Sequence, residues 1–245
     1  MKRFGLIGRH LQHSFSPAYF ANKFKQEEIL DCTYELFPLA EIEDFKTLLQ
    51  KEHNLSGLNV TIPYKQAIIP FLDRLSPQAL QIGAVNTIQF VEGKLIGHNT
   101  DVYGFKTSLE KSLSTTQFHS KALVLGTGGA SKAVVYALQE MNISYQYVSR
   151  KATEDALSYE MLSPEFIQEH LIIINTTPLG MSPDLNTCPL LPYTAIGQGH
   201  ILFDLVYNPK QTLFMKKGAE QGAKTINGLE MLHLQAEKAW SIWTT

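Results

Sequence analysis

The chain has 245 residues, of which 44% are hydrophobic and 18% charged, and its formal net charge is −2 at pH 7. This length suits one large domain or two smaller ones, and the near-neutral charge gives no indication of a nucleic-acid partner. No apolar run reaches the length of a membrane span, and the N-terminal MKRFGLIG is too short in its apolar part for a signal peptide. We therefore expect a cytoplasmic protein without membrane contact. Cys32 and Cys188 lie far apart without metal-ligand neighbours, which favours neither a disulfide framework nor a metal site.

The first part of the chain alternates predicted strands and helices. Strands are predicted over 4–7, 33–37 and 58–60, and helices over 16–24, over 41–50 and from Pro63 onward. Ser16 is the expected cap of the first helix, with Pro17 in its first turn. After a turn at Ser76-Pro77, the runs 84–91 and 95–98 predict a β-hairpin around Glu92-Gly93-Lys94. The alternation indicates an α/β fold with a mainly parallel sheet.

A second α/β segment follows a helix predicted over 102–113, for which Asp101 is the expected cap, and a Ser/Thr-rich candidate linker over 112–120. Predicted strands cover 122–125, 145–148, 171–174, 201–205 and 223–226, and predicted helices cover 131–140, 164–169, 212–220 and 229–243. The last helix carries one apolar stripe that needs a partner, so we expect it to pack back on the first domain. The expected domains are 1–100, 101–226 and the returning helix 227–245.

The segment from Lys121 to Leu138 contains a candidate phosphate-binding loop. A buried strand is followed by Gly126, Thr127, Gly128, Gly129, Ala130 and Ser131, and then by a helical pattern. Glycines let the backbone approach an anion closely, and the N-terminus of the helix offers free N–H groups with a partial positive charge. An ordinary tight turn is the alternative, but the flanking strand and helix favour a dinucleotide site.

The next strand ends in Ser149, Arg150 and Lys151. NAD-binding proteins of this kind place an acidic residue about 20 residues past the glycines, where it binds the ribose 2′-hydroxyl. Basic residues stand at this point instead, and a guanidinium can bind a 2′-phosphate with two hydrogen bonds. A solvated basic turn is the simpler explanation, but the pattern favours NADP.

Further polar residues lie where predicted strands end. Ser14 and Ser16 can donate to a carboxylate or phosphate, although capping alone would explain Ser16. Lys65 falls in the first turn of the helix predicted from Pro63, where a cation opposes the helix dipole, so its charge suits an acid–base role better than a structural one. An ordinary solvated surface lysine is the alternative, and the spacing alone favours it. Asn86 and Asp101 lie on or beside the hairpin, and Gln235 lies beside the apolar stripe of the last helix, where its amide needs a protein or ligand partner.

Taken together, these motifs resemble those of the shikimate dehydrogenase family over nearly the whole chain. They occur in family order as SxSP at 14–17, NVTxPxK at 59–65, AVNT at 84–87, NTD at 99–101, GTGGAS at 126–131, NTTPLGM at 175–181, DLVYNPxxT at 204–212 and NGLxMLxxQA at 227–236. Arg9-His10 departs from the Asp-Pro usual in the family, so the entry to the serine loop is expected to differ in shape. Asn227 also replaces a common Asp.

The resemblance implies a two-domain enzyme with a Rossmann-type NADP domain, which reduces 3-dehydroshikimate to shikimate without a metal, as a monomer or homodimer. It implies that Ser14, Ser16 and Tyr207 bind the substrate carboxylate. Thr61, Asn86, Asp101 and Gln235 would bind the ring hydroxyls, with Lys65 transferring a proton beside Asp101. Beyond the glycine loop and the basic turn, it places Thr177, Leu205, Gly228 and Met231 at the cofactor.

Three alternatives stay open at this point. A quinate/shikimate dehydrogenase with relaxed cofactor use is the nearest, and Arg150 with Lys151 argues against it. A methylenetetrahydrofolate dehydrogenase has a similar architecture but fits the SxSP and NTD segments poorly. A non-catalytic nucleotide-binding regulator would keep the glycine loop without needing Lys65 and Asp101.

Overall fold

The structure is a computed structural model that describes residues 1–12, 14–114, 117 and 120–245. Its strands are β1 Lys2–Gly8, β2 Cys32–Pro38, β3 Leu55–Val60, β4 Arg74–Leu75, β5 Thr87–Val91, β6 Lys94–His98, β7 Ala122–Leu125, β8 Tyr145–Ser149, β9 Ala156–Ser158, β10 Ile172–Asn175, β11 Ile201–Asp204 and β12 Lys224–Asn227. Its α-helices are α1 Ser16–Gln26, α2 Asp44–Lys51, α3 Pro77–Ile82, α4 Asp101–Glu110, α5 Gly129–Glu140, α6 Pro164–Glu169, α7 Leu213–Glu220 and α8 Leu229–Thr244. The predicted α/β class is confirmed.

The chain divides into two compact units, one formed by Met1–Thr100 with Ala236–Thr245 and the other by Asp101–Gln235. The segment predicted as a separate returning helix, 227–245, is therefore divided, with 227–235 in the second unit and 236–245 in the first. The candidate linker 112–120 falls partly outside the described residues.

The first unit is built on a six-stranded sheet in the order β2-β1-β3-β5-β6-β4. Strands β1, β2 and β3 are parallel, and β5 is antiparallel to both of its neighbours, so the sheet is mainly parallel as predicted. The β5–β6 hairpin is confirmed. Its turn residues Glu92 and Gly93 have φ values of 49° and 75°, the left-handed pair that a type I′ hairpin turn requires.

Each face of this sheet carries its own apolar cluster. One cluster is centred on Phe45, Leu58 and Ile88. The other is aromatic and includes Phe4 and Phe20 together with Ala236, Ala239 and Trp243 of α8. The final part of α8 thus completes the core of the first unit, because its apolar stripe buries side chains that would otherwise face water.

The second unit is built on a six-stranded, entirely parallel sheet in the order β12-β11-β10-β7-β8-β9. Numbered within the unit, this is the order 6-5-4-1-2-3 of a Rossmann fold. Strands β7, β10 and β11 are fully buried, as expected for parallel strands covered by helices on both faces. The strand order reverses between β7 and β10, and ligands of such sheets bind at that switch point.

The prediction of a helix from Pro63 onward is wrong. Residues 62–68 form a series of turns that ends in a short 3-10 helix, Ile69–Phe71. The Lys65 carbonyl accepts a hydrogen bond of 2.7 Å from the N–H of Val85, a partner distant in sequence. Tertiary pairing therefore overrides the local helical pattern, and the argument that placed Lys65 against a helix dipole no longer applies.

Smaller differences concern where helices begin. Phe15, not Ser16, occupies the cap position of α1, and it makes no side-chain capping bond. Helix α2 begins three residues later than predicted, and α4 begins at Asp101 itself. The expected turn at Ser76-Pro77 instead begins α3, where the Ser76 hydroxyl accepts from the Ala79 N–H at 3.2 Å.

Candidate active site

The glycine loop lies at the switch point of the second sheet, immediately after β7. Gly126 has a φ of +102°, and an added Cβ there would meet Thr176 Oγ1 and Thr177 Cγ2, each at 2.9 Å. The Thr176 hydroxyl donates to the Leu125 carbonyl at 2.7 Å. The loops after β7 and β10 therefore approach so closely that only glycine fits at position 126.

Helix α5 begins at this loop with Gly128 at its cap position and no side-chain capping bond. No acidic residue lies in its first turn, and an added Cβ at Gly128 would meet no atom within 4 Å. Ser131 Oγ donates a hydrogen bond to the Gly128 carbonyl at 2.7 Å, which stabilises the loop. Backbone N–H groups at an accessible, uncapped helix N-terminus fit the diphosphate of a dinucleotide.

The basic turn follows β8, the strand next to β7 in the sheet. Arg150 and Lys151 are both exposed, and the Ser149 hydroxyl donates to the Lys151 carbonyl, which fixes the turn. These two cations thus follow the carboxyl end of the second strand of the Rossmann unit, where such folds recognise the ribose.

Three of the four remaining residues predicted at the cofactor follow neighbouring strands of the same unit, and the fourth lies in α8. Thr177 follows β10, and Leu205 follows β11. Gly228 follows β12, and an added Cβ there would lie 2.2 Å from the Leu205 carbonyl oxygen. Met231 is buried, and its carbonyl lies 2.5 Å from where a Cβ of Gly104 would be, so α4 and the beginning of α8 approach closely.

In the first unit, a continuous series of hydrogen bonds joins the sequence motifs. The Tyr34 hydroxyl interacts with Ser16 and donates to Asn59 Oδ1 at 2.8 Å. Asn59 Nδ2 donates in turn to the Asn86 carbonyl, 3.2 Å away. The Asn86 amide oxygen accepts from the Thr100 N–H at 2.7 Å. This polar series, defined by Ser16, Tyr34, Asn59, Asn86 and Thr100, brings four separated motifs and strand β2 together.

The series also orients the Asn86 amide. Its oxygen accepts from the Thr100 backbone and from the Thr87 hydroxyl at 3.1 Å, so its nitrogen must be the donor, and it donates to Thr100 Oγ1 at 3.0 Å. Asn59, Asn86, Thr87 and Thr100 are all buried. A buried network with its hydrogen bonds satisfied is rigid, so it can hold polar groups in place for a ligand.

Three predicted site residues lie beside this series in the first unit. The Ser14 N–H donates to the Leu11 carbonyl at 3.0 Å, which closes a turn just before α1. Thr61 follows β3, and its N–H donates to the Ile7 carbonyl at 2.9 Å. Lys65 is half-buried in the turns that follow.

Three more predicted site residues belong to the second unit. Asp101 is 7% exposed as the first residue of α4. Burial raises the pKa of Tyr207, whose hydroxyl is protonated and can donate at neutral pH even without that shift. Gln235 Nε2 donates to the Leu232 carbonyl at 3.1 Å, so the amide beside the apolar stripe has a protein partner.

Sequence reasoning missed Tyr34 and gave no role to Asn59. Tyr34 lies on β2 with its ring stacked on Phe20 at 4.4 Å, and burial of its hydroxyl raises its pKa. A tyrosine hydroxyl that becomes buried needs a hydrogen-bond partner, which was the available signal. The identity of that partner depends on which strands become neighbours, and this is a tertiary property.

The described part of the chain shows no membrane-spanning helix, no metal-binding group and no disulfide. No helix there has the length and apolar character needed to cross a membrane. No group of three or more His, Cys, Asp or Glu side chains within the described ranges could hold a metal ion. Cys32 and Cys188 are both unpaired with another cysteine.

The parallel sheet of the second unit, with a glycine loop and an uncapped helix at its switch point, defines the class of Rossmann-type dinucleotide-binding proteins. Residues 6–88 match the family model described as the shikimate dehydrogenase substrate binding domain. An NADP-dependent shikimate dehydrogenase from Clostridium beijerinckii is 41% identical and matches 99% of this chain and 92% of its own length. The chain belongs to the NADP-dependent shikimate dehydrogenase family.

Two solved structures, one of a shikimate dehydrogenase and one of a quinate dehydrogenase, are similar to this chain in fold. The shikimate dehydrogenase of Thermus thermophilus in complex with NADP(H) and shikimate is 32% identical, with a TM-score of 0.87 over 100% of this chain and 94% of that one. A quinate dehydrogenase from Corynebacterium glutamicum in complex with NAD is 29% identical, also with a TM-score of 0.87, over 99% of this chain and 93% of that one.

Proposed function

We propose that this protein catalyses the reversible NADPH-dependent reduction of 3-dehydroshikimate to shikimate. The observation that carries the proposal is the polar series from Ser16 to Thr100, which joins motifs separated by more than eighty residues in a unit that matches a substrate-binding domain. A substrate with one carboxylate and several hydroxyls needs small neutral hydrogen-bonding groups held rigidly, and this series supplies them.

The cofactor we propose is NADP, held by the second unit. The glycine loop and the N-terminus of α5 fit its diphosphate, and Arg150 with Lys151 fit its 2′-phosphate. Thr177, Leu205, Gly228 and Met231 would line the nicotinamide end. When bound, NADPH supplies the hydride that the substrate carbonyl carbon accepts.

We assign the substrate carboxylate to Ser14, Ser16 and Tyr207, each of which carries a hydroxyl that can donate. The Tyr34 hydroxyl forms a hydrogen bond with Ser16, and the Tyr207 hydroxyl is protonated at neutral pH, as tyrosines ordinarily are. Neutral donors of this kind suit a carboxylate that must be released after each turnover, because a buried ion pair would hold it more strongly.

The ring hydroxyls are assigned to Thr61, Asn86, Asp101 and Gln235, and Lys65 and Asp101 are the proposed catalytic residues. Reduction of the ketone leaves a developing alkoxide, which takes a proton to become the hydroxyl group of shikimate. The Lys65 ammonium stabilises this oxygen and donates the proton, while the Asp101 carboxylate keeps the ammonium in place.

An NADPH oxidation assay with 3-dehydroshikimate tests the proposal, and we expect turnover. The likeness to an NAD-bound quinate dehydrogenase favours one second candidate, a quinate/shikimate dehydrogenase of relaxed cofactor use. Comparable turnover of 3-dehydroquinate with NADH would establish that alternative. NADPH binding without turnover of either substrate would indicate a regulator and reject the proposed enzyme. A cytoplasmic location and a monomeric or homodimeric state remain predictions.

A further inference from the structure

Asp204 is a buried carboxylate to which the proposed function gives no role. It ends β11, is fully buried, and stands in register with Asn175 at the end of β10. Both residues therefore lie at the carboxyl edge of the sheet, beside the switch point. A buried carboxylate is costly unless hydrogen bonds replace its water, so its partners indicate why it is there.

Three neutral donors surround this carboxylate. Oδ1 accepts from Asn175 Nδ2 at 2.9 Å and from the Val206 N–H at 3.0 Å, and Oδ2 accepts from the Thr212 hydroxyl at 2.6 Å. None of the ion pairs within the described residues includes Asp204. Its contacts are therefore directional hydrogen bonds to two different loops and not a charge pair.

The contact with Asn175 reaches the proposed nicotinamide side. A carboxylate only accepts, so the Asn175 nitrogen must face Asp204 and its oxygen must face away. That oxygen accepts from the Thr177 N–H at 3.1 Å and from the Thr177 hydroxyl at 2.6 Å. The Thr177 hydroxyl accepts in turn from the Leu179 N–H at 3.3 Å. Asp204 therefore sets the direction of every polar group along this path.

The other two contacts reach the loop that carries Tyr207. Val206 immediately precedes Tyr207, and its carbonyl accepts from the Gly228 N–H at 3.2 Å. Thr212 caps α7, where its hydroxyl accepts from the Met215 N–H at 3.3 Å. Asp204 thus holds both ends of the loop 206–212, which must place Tyr207 between them.

We propose that Asp204 is a positioning residue that sets two parts of the site at once, Thr177 through Asn175, and Tyr207 through Val206 and Thr212. The inference rests on the proposed function, in which Thr177 contacts the cofactor and Tyr207 contacts the substrate carboxylate. One buried carboxylate thereby couples the geometry of the cofactor contact to that of the substrate contact.

Variants of the two paths test this assignment. Asp204→Asn removes one acceptor at nearly constant volume, and Asn175→Ala breaks the path to Thr177. Thr212→Val breaks the path to the Tyr207 loop and also removes the cap of α7. The control is His200→Gln at the opposite end of β11. His200 is also buried, and its ring bonds the Gly197 N–H at 3.0 Å and the Ile167 carbonyl at 3.1 Å.

The readouts are the Kd for NADPH, the KM for shikimate, the melting temperature and amide hydrogen exchange. We expect Asn175→Ala to weaken NADPH binding about tenfold, which corresponds to ~1.4 kcal/mol, with a smaller change in KM. We expect Thr212→Val to raise the KM about tenfold with a smaller change in Kd, and Thr212→Ser to recover most of that loss. Asp204→Asn should change both constants and speed exchange at Thr177 and Val206, whereas His200→Gln should lower only the melting temperature.

The proposal would be overturned if Asn175→Ala and Thr212→Val changed the Kd for NADPH and the KM for shikimate equally. It would also be overturned if His200→Gln changed these two constants as much as Asp204→Asn does. If Asp204→Asn does not fold, the two single-path variants decide the matter. A wild-type protein without dehydrogenase activity would reject the proposed function instead. In that case NADPH binding and hydrogen exchange would still test the path from Asp204 to Thr177.

Discussion

Replacing Trp243 by Phe tests how strongly the end of α8 is held in the first unit. The Trp243 indole N–H donates to the Ile88 carbonyl at 3.0 Å, on a fully buried residue of β5. The indole also stacks on Phe4 at 4.9 Å and lies against Gly57, where an added Cβ would fall 2.3 Å from its nitrogen. The side chain is only 8% exposed, so both contacts are made away from water.

The expected cost of Trp243→Phe has two parts. Loss of the hydrogen bond to the Ile88 carbonyl costs about 0.5–1.5 kcal/mol, because that residue remains paired with Leu58 in the sheet. The space left by the smaller ring adds roughly 1 kcal/mol, within the range for modest large-to-small core changes. The free energy of unfolding should therefore fall by about 1.5–2.5 kcal/mol, and the melting temperature by roughly 3–10 °C for a protein of this size.

The assay is denaturant unfolding followed by tryptophan fluorescence. The chain has only two tryptophans, Trp240 and Trp243, and both lie in the part of α8 that belongs to the first unit. The signal therefore reports this unit specifically, which matters because a two-unit protein need not unfold in one step. In each variant the remaining tryptophan still provides the signal.

Trp240→Phe is the matched control. Trp240 packs on Phe4 and Phe24, each at 5.3 Å, but its indole N–H makes no hydrogen bond within the described residues. Trp240→Phe should lower the free energy of unfolding by about 1 kcal/mol, because only packing is lost. An equal or larger loss in Trp240→Phe, or a loss below 1 kcal/mol in Trp243→Phe, would refute the role given to the hydrogen bond.

The other predictions concern the site and its electrostatics. Lys65→Ala should lower kcat by about 10²–10⁴-fold with a far smaller change in KM, and a near-normal kcat would make the lysine a binding residue only. Arg150→Ala should weaken NADPH binding by about one to two orders of magnitude and leave NADH binding nearly unchanged, whereas equal losses would show a structural role. Burial raises the pKa of Asp204 from 3.8 to about 6, so the folded protein keeps a proton that the unfolded chain loses. The stability from this group is present below pH ~4 and lost as the pH rises through about 6. Relative to Asp204→Asn, the wild type should lose about 3 kcal/mol over that range, and parallel stability curves for the two proteins would contradict this assignment.

Much of the fold could be predicted from the sequence because the decisive interactions are local. The run 122–125, the glycines after it and the helical pattern that follows define a strand, a loop and a helix within eighteen residues. The hairpin around Glu92 and Gly93 was predictable for the same reason, since its turn requires left-handed backbone at two adjacent residues. Most residues predicted at the cofactor lie directly after such strands or in the first turn of the next helix, as Met231 does in α8.

Other features depend on contacts that local patterns do not contain. The segment after Pro63 has the pattern of a helix, but the Lys65 carbonyl pairs with Val85, so the backbone turns instead. Tyr34 joins Ser16 to Asn59 because β2, β1 and β3 are neighbours in the first sheet. Strand order and the division of α8 between the units likewise arise from burial of apolar faces across the whole chain. Hydrogen-bond partners of buried groups are chosen by whichever elements those faces bring together, and only the tertiary structure decides that.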